Sequence, residues 1–384
     1  MKPRIHLAAM LALATPAVLW ASQQAPGRNQ QTVAIQQPKI QLAILLDTSN
    51  SMDGLIDQAR QQLWQAVNEF SKAKRNGLTP VLEVAVYEYG NDGIDVQQGH
   101  IRQVVGLTRE LDKVSEALFS LTTNGGNEYC GHAIAQAVNH LQWSNSPNDV
   151  KAIFIAGNEP FTQGPTPFTD AIAEAKARGI VVNTIHAGDY QTGLNEGWQH
   201  GALLAGGNYM SIDHNQAVVH VEAPQDTQIA RLNAQLNETY IPFGKDGAAG
   251  AARQQEQDVK SSGVSIGLLA QRAKSKATEL YNSAKWDLVD AVEAGEADLD
   301  DMEPEALPEE MQSMAPDARK DFLSEKAKER AELKVKIVEL SNQRDAYVAE
   351  QRSTQAEESA DTLSEALTES VRKHAVSNDF AFAE

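Results

Sequence analysis

Residues 39–240 predict an α/β domain on a mostly parallel central sheet flanked by helices, and residues 253–384 an all-helical extension. Two observations carry this. From Lys39 to about Asn237, short β-rich apolar runs alternate with stretches of helical hydrophobic spacing, the pattern of a sheet buried between helical layers. Beyond Asn237 strand signals stop, and Ala, Gln, Glu and Lys dominate long helical stretches.

Residues 1–21 open with Lys2 and Arg4, continue in an apolar run to Trp20 and reach small residues at Ala21 and Ser22, the pattern of a secretory signal. An uncleaved anchor tethering the chain to an inner membrane is the alternative, because Leu19 suits a cut after Ala21 poorly. The implied location is the periplasm or outside a bacterial cell, or the inner membrane facing the periplasm. Residues 22–38 read as a flexible leader.

The strands follow as Ile40–Leu46, Val81–Tyr89, Ala152–Ile155, Ile180–Ile185 and Tyr209–Ile212, continuous apolar runs of the kind covered on both faces. Arg102–Leu107 reads as an antiparallel edge strand. Helices are expected over Leu55–Lys74, ended by Asn76-Gly77, over Glu110–Ser120, and over Thr169–Arg178 before Gly179. Residues 241–252 read as a hinge. The segment 290–310 has ten acidic residues and no basic one, with Pro304 and Pro308, and is expected to be a solvated loop. Asp317–Gln351 reads as one long helix with Leu333, Ile337, Leu340 and Tyr347 in a seam that Arg344 interrupts. Ser353–Glu384 is acidic and is expected to end loosely.

Over 384 residues, 33 Lys and Arg stand against 52 Asp and Glu, a formal charge of −19 that repels phosphate backbones and argues against a nucleic-acid partner. A single cysteine, Cys130, excludes intramolecular disulfides and Cys-rich metal sites.

In an open α/β sheet, ligands bind beyond the carboxyl ends of the strands. The first such loop, Asp47-Thr48-Ser49-Asn50-Ser51-Met52, puts one carboxylate and two hydroxyls at alternate positions ahead of a helix. Such an oxygen set suits Mg²⁺ or Mn²⁺, with Ca²⁺ a further candidate. A plain helix-capping turn is the other reading.

With Asp47, Ser49 and Ser51 in place, the sequence resembles the von Willebrand factor A domain family, whose metal-ion-dependent adhesion site begins Asp-x-Ser-x-Ser after the first strand. The resemblance spans about residues 40–240 and implies a Rossmann-like fold that binds proteins, often through a partner carboxylate that completes the metal shell. Two loops depart from the family pattern. Glu128 stands at the expected threonine within Gly125-Gly126-Asn127-Glu128, and Gly157 at the expected aspartate, followed by Asn158 and Glu159. The expected site is therefore Asp47, Ser49, Ser51 and Glu128, with Asn158 or Glu159 contributing an oxygen or a water. The alternative is a decayed site in which Glu128 only caps a helix. If the register is displaced, Thr122 or Thr123 would supply the missing hydroxyl.

The expected function is a divalent-metal-assisted protein-binding module of the bacterial envelope, not an enzyme. Its partner would be a protein that offers an acidic residue. A metal-dependent hydrolase with Glu159 or His186 as base is the rival, and a scaffold binding through its helices alone is a third reading. Cys130 and His132, two apart on a helix, do not form a nucleophile pair. His186, Trp198, His200, Tyr87 and Tyr89 read chiefly as packing.

Overall fold

The computed structural model describes residues 37–215, 220–355 and 363–382. The predicted signal, 1–21, and all but the last two residues of the leader 22–38 lie outside these. No described helix is long and apolar enough to cross a membrane.

The first half of the described chain runs β1 (Lys39–Asp47), α1 (Asp53–Phe70), β2 (Ala73–Lys74), β3 (Val81–Tyr89), β4 (Ile101–Thr108), α2 (Leu111–Ser120), α3 (Cys130–His140), β5 (Val150–Gly157) and α4 (Phe168–Ala177). It continues through β6 (Val181–Ala187), α5 (Tyr190–Asn195), α6 (Trp198–Ala205) and β7 (Tyr209–Ile212). The second half is helical: α7 (Asp226–Asn237), α8 (Gly247–Val264), α9 (Ile266–Lys276), α10 (Leu288–Glu293), α11 (Glu309–Gln312), α12 (Pro316–Gln355) and α13 (Leu363–Ser377). A short β8 (Ala381–Phe382) follows and pairs antiparallel with β2.

The main sheet has the order β4-β3-β1-β5-β6-β7, parallel throughout except for the antiparallel β3–β4 pair. The chain leaves β1 toward β3 on one side and later returns to β5 on the other, so the strand order reverses between β1 and β5. That reversal opens a crevice at their carboxyl ends, where Asp47 and Gly157 lie. The five expected strands and the antiparallel edge strand all form.

Strand alternation divides the core. In β1, Ile40, Leu42, Ile44 and Leu46 enter one apolar layer, with Leu55, Leu63 and Val67 of α1 and Val114 and Leu118 of α2. Ala43 and Leu45 enter the opposite layer, with Ala133 and Ile134 of α3, Ile172 of α4 and Trp198 of α6.

The helical half departs from expectation in four places. Ser353–Glu384 does not end loosely: Leu363, Ala366, Leu367, Val371 and Ala375 of α13 join the first layer beside α1, because their spacing puts five apolar side chains on one stripe. The segment 290–310 is not a solvated loop: its acids other than Asp290, which pairs with Arg330, are exposed, while Leu307 within it and Val289 and Met311 at its ends close over Ile241, Leu288 and Leu323. The hinge 241–252 is half helix, because α8 starts at Gly247 and packs on Trp286, whose ring leaves no room for a Cβ at Gly250 (2.2 Å). Arg344 does not weaken its seam: its Nε donates to Asp226 Oδ1 at 2.5 Å, tying α12 to α7 alongside Leu333 and Ile337.

Buried ions fasten this half to the sheet layers. Arg272 of α9 is fully buried; Nη1 donates to Asp112 Oδ1 of α2 (2.5 Å), Nε to Asp258 Oδ1 of α8 (2.6 Å) and Nη2 to the Gln254 carbonyl (3.0 Å), and the guanidinium lies over the Trp64 ring. Tyr281 donates to the other Asp112 oxygen at 2.5 Å. Burial alone would raise the Asp258 pKa, but Lys276, Arg272 and the amides of Asn237 and Asn233 outweigh it and hold the carboxyl well below the usual range. The same burial lowers Lys276 to about 8.

Removing one partner of a buried ion group leaves the others unpaired, so Arg272→Met should destabilise the protein by about 3–5 kcal/mol, read from urea unfolding. A carboxyl whose folded pKa lies below its unfolded value of 3.8 contributes stability above that pH and loses it as pH falls. Asp258→Asn should therefore flatten the loss of stability between about pH 5 and pH 3 relative to the unsubstituted chain, measured by denaturation across that range.

Candidate metal centre

The β1 strand ends at Asp47, whose side chain is fully buried, and the chain then turns sharply into α1. Asp47 Oδ1 accepts from the Ser49 amide at 2.8 Å, a turn that brings Ser49 Oγ within 3.5 Å of Ser51 Oγ. Thr48, between them, faces away, its hydroxyl bonded to the Tyr89 carbonyl (3.2 Å).

Glu128 precedes α3 and is 5% exposed, with its amide held by Gln163 Oε1 at 2.7 Å. Its carboxyl lies against that of Asp47 and beside Ser49. From the end of β5, Asn158 donates its side-chain amide to Ser51 Oγ at 3.2 Å, and its backbone lies beside the Asp47 carboxyl. Asp47, Ser49, Ser51, Glu128 and Asn158 thus meet at the β1–β5 crevice.

Three buried oxygens in this group have no hydrogen-bond partner: Asp47 Oδ2, Glu128 Oε2 and Asn158 Oδ1. Unpaired buried acceptors carry a desolvation cost of about 1–3 kcal/mol each, so a cluster of them needs a counter-charge. The protonation balance says the same. Burial, then the Asp47 charge against it, push Glu128 up to about 9, and burial also raises Asp47. Two carboxyls this close do not both ionise without a cation or a shared proton. Hard oxygens of this kind fit Mg²⁺, Mn²⁺ or Ca²⁺.

Glu159 stands at the margin. Its charge reaches Glu128 and raises it further, while its carbonyl anchors Trp198 Nε1 at 3.0 Å. Among the described residues no three His, Cys, Asp or Glu side chains form a metal-binding group, so Glu159 does not add a third carboxylate to the pair. The candidate base His186 is 2% exposed, packs on Trp198 and turns Nε2 toward Glu196 (3.7 Å). The threonines are engaged elsewhere: Thr123 Oγ1 donates to Asp53 (2.5 Å) and the Thr122 carbonyl accepts from Asn91 (2.8 Å). Cys130 is buried, its thiol pushed up by desolvation, with Sγ 3.8 Å from Tyr89 Oη, while His132 faces Thr166.

Two residues matter here beyond those expected from the sequence. Tyr89 fills the space beside Gly157, its hydroxyl donating to the Ala156 carbonyl at 2.9 Å. Gly90, at φ +78°, leaves room where a Cβ would stand 2.7 Å from Glu128 Cγ and 2.8 Å from Asp47 Oδ1. The signal for Gly90 is its place directly after an apolar strand; Tyr89, read from the sequence as packing, is buried as expected, and nothing local ties it to the metal turn.

A Cβ at Gly157 would fall 2.4 Å from Tyr89 Oη and 3.1 Å from Asp47 Oδ2. An aspartate therefore cannot return to that position unless Tyr89 gives way. Gly157→Asp should lower stability by about 1–3 kcal/mol, and adding Tyr89→Phe should recover part of it, both measured by thermal unfolding.

The family model for the von Willebrand factor type A domain matches residues 41–196. No curated protein is significantly similar to the chain. Similar solved structures include the SpRpn10 VWA domain, 17% identical, covering 47% of this chain and 99% of that one with a TM-score of 0.34. An aerotolerance-related membrane protein from Bacteroides fragilis NCTC 9343, solved with multiple mutations to serines, is 17% identical over 45% of this chain and 92% of its own, at a TM-score of 0.32. The pilus adhesin SpaC from Lactobacillus rhamnosus GG is 13% identical over 46% and 28%, also at 0.32. The sheet order and the family match together identify residues 41–196 as a von Willebrand factor type A domain.

Proposed function

We propose that this domain is a divalent-cation-assisted protein-binding module that works in a bacterial envelope. The observation that carries the reading is the convergence of three unpartnered buried oxygens, from Asp47, Glu128 and Asn158, beside the hydroxyls of Ser49 and Ser51. Asp47 and Glu128 would supply the charge, Ser49 and Ser51 neutral oxygens, and Asn158 an oxygen or a hold on a water. When bound, Mg²⁺ or Mn²⁺ would offer an open position to an acidic side chain of the partner.

The domain's own residues prepare that role. The Ser49 amide holds Asp47 Oδ1, and Gly90 and Gly157 keep backbone close without filling the crevice. The second carboxylate comes from the loop before α3 instead of from the end of β5, where Tyr89 occupies the room. The envelope location rests on residues 1–21, which read as an export signal or an inner-membrane tether.

Calorimetric titration of Mn²⁺ and Mg²⁺ tests the reading. Saturable binding is expected, weakened by about tenfold or more in both Asp47→Asn and Glu128→Gln, because each removes one of two ligand charges. Glu128 holds its proton below about pH 9, and the cation must displace it. Affinity should therefore rise with pH toward that value, and the measured heat should vary with the ionisation enthalpy of the buffer. An unsubstituted protein that binds neither ion would overturn the reading.

A further inference from the structure

The loops around the crevice differ in charge from the rest of the sheet. Six loops emerge at the carboxyl edge, at 48–52, 90–100, 121–129, 158–167, 188–189 and 213–215, and none contains Lys or Arg, although the chain has 33 such residues. The opposite edge carries Lys39, Arg109, Lys113, Lys151, Lys176 and Arg178, at strand starts or helix ends. Two basic side chains reach this edge from elements beside it, and both are engaged: the guanidinium of Arg102, one residue inside β4, is taken by buried Glu88, and Arg60 of α1 donates to the Leu121 carbonyl at 2.6 Å and pairs with Asp57.

What the carboxyl edge and the first turn of α1 do carry is acid: Asp53, Asp92, Asp95, Glu159, Asp189 and Asp213. These loops are tied to the metal turn. The Asn124 amide donates to the Thr48 carbonyl at 2.9 Å, and the Asp92 amide to the Gly125 carbonyl at 2.8 Å. A Cβ at Gly54 would fall 2.0 Å from the His214 carbonyl oxygen, so the 213–215 loop lies directly on the start of α1. Asp53, Asp92 and Asp213 are all exposed on this rim.

The following inference rests on the metal-binding reading above. Asp47 and Glu128, once ionised, carry two negative charges, and these cancel the two positive charges of a divalent cation. The loaded centre is then neutral and exerts no long-range pull on a carboxylate, while the acidic rim repels one. A partner's acidic residue can approach only if its own surroundings offset that repulsion. We propose that the carboxyl edge of this domain docks a protein surface in which the metal-seeking carboxylate is flanked by Lys or Arg. The flanking cations pair with Asp53, Asp92 and Asp213, and the carboxylate reaches the centre between them. Charge complementarity sets which partner is admitted, and the cation sets the register in which it docks.

The test uses the full chain, a Mn²⁺ titration and three fluorescein-labelled peptides read by anisotropy at low and high salt. One peptide has a single aspartate flanked on each side by two lysines, one has the same aspartate flanked by glutamates, and one has asparagine between the lysines. The lysine-flanked aspartate should bind the Mn²⁺-loaded protein about tenfold or more tighter than the glutamate-flanked one. Its affinity should fall steeply with salt. It should also fall in a triple variant, Asp53→Asn, Asp92→Asn, Asp213→Asn, that keeps the hydrogen-bond acceptors and still binds Mn²⁺. Equal binding of the two aspartate peptides, or an unchanged affinity in the triple variant, would overturn the inference while leaving the metal site standing. Absence of Mn²⁺ binding with retained, salt-sensitive and variant-sensitive capture of both lysine peptides would instead overturn the metal reading and support the acidic rim alone. No capture of any lysine peptide would overturn the inference.

Discussion

The fully buried guanidinium of Arg272 is the constraint around which the two halves of the chain are organised. It lies in α9, yet its counter-charges come from α2 of the sheet layer and α8 of the helical half, and its flat face rests on Trp64 of α1. A buried cation cannot be left without partners, so these four helices must be placed together or not at all. Asp112 is in turn shared with Tyr281, and Asp258 with Lys276, Asn233 and Asn237, which extends the same requirement to α7. Arg330 with Asp287 and Asp290, and Arg344 with Asp226, repeat the device along α12. The helical half is thereby a brace for the sheet, held by geometry that apolar contacts alone would not specify.

That rigidity bears on the crevice. The metal turn leads directly into α1, and α1 is fixed on one side by α9 and on the other by α13. A site that keeps three unpaired buried oxygens close together needs its supports fixed, because otherwise the carboxyls would relax outward toward water. The stability invested in the ion network is what permits an electrostatically unfavourable arrangement at the opposite end of the same helix.

Much of the fold was legible because parallel strands covered by helices leave an apolar run, and five such runs in order, with one antiparallel edge strand, define the sheet. The Asp47-Thr48-Ser49-Asn50-Ser51 turn was legible for a similar reason, since alternate oxygens on a tight turn are a local pattern. Glu128 could be placed through its glycines, Gly125 and Gly126. Other features depend on distant partners and leave no local mark. Arg344 looks like a fault in an apolar seam until Asp226, more than a hundred residues earlier in the chain, is seen against it. The acids of 290–310 suggest solvent, but Leu307 among them and Met311 just after suffice to close a small core. The exchange of an aspartate position for Gly157 becomes intelligible only with the Tyr89 ring beside it.

The place of α13 also orders events in time. One layer of the sheet's core is completed by a helix that is synthesised after strands β1 to β7 and helices α1 to α12, and the Leu363 amide reaches back to Gln58 at a separation of 305 residues. Until that helix leaves the ribosome, the part of this layer that it covers stays open. Such long-range closure slows folding and leaves a partly built sheet open to association with other chains. Chains in which the sheet is made but α13 is not therefore present part of that apolar layer to their surroundings. A holding chaperone that binds extended apolar segments would find its site on them there, and would be displaced by α13.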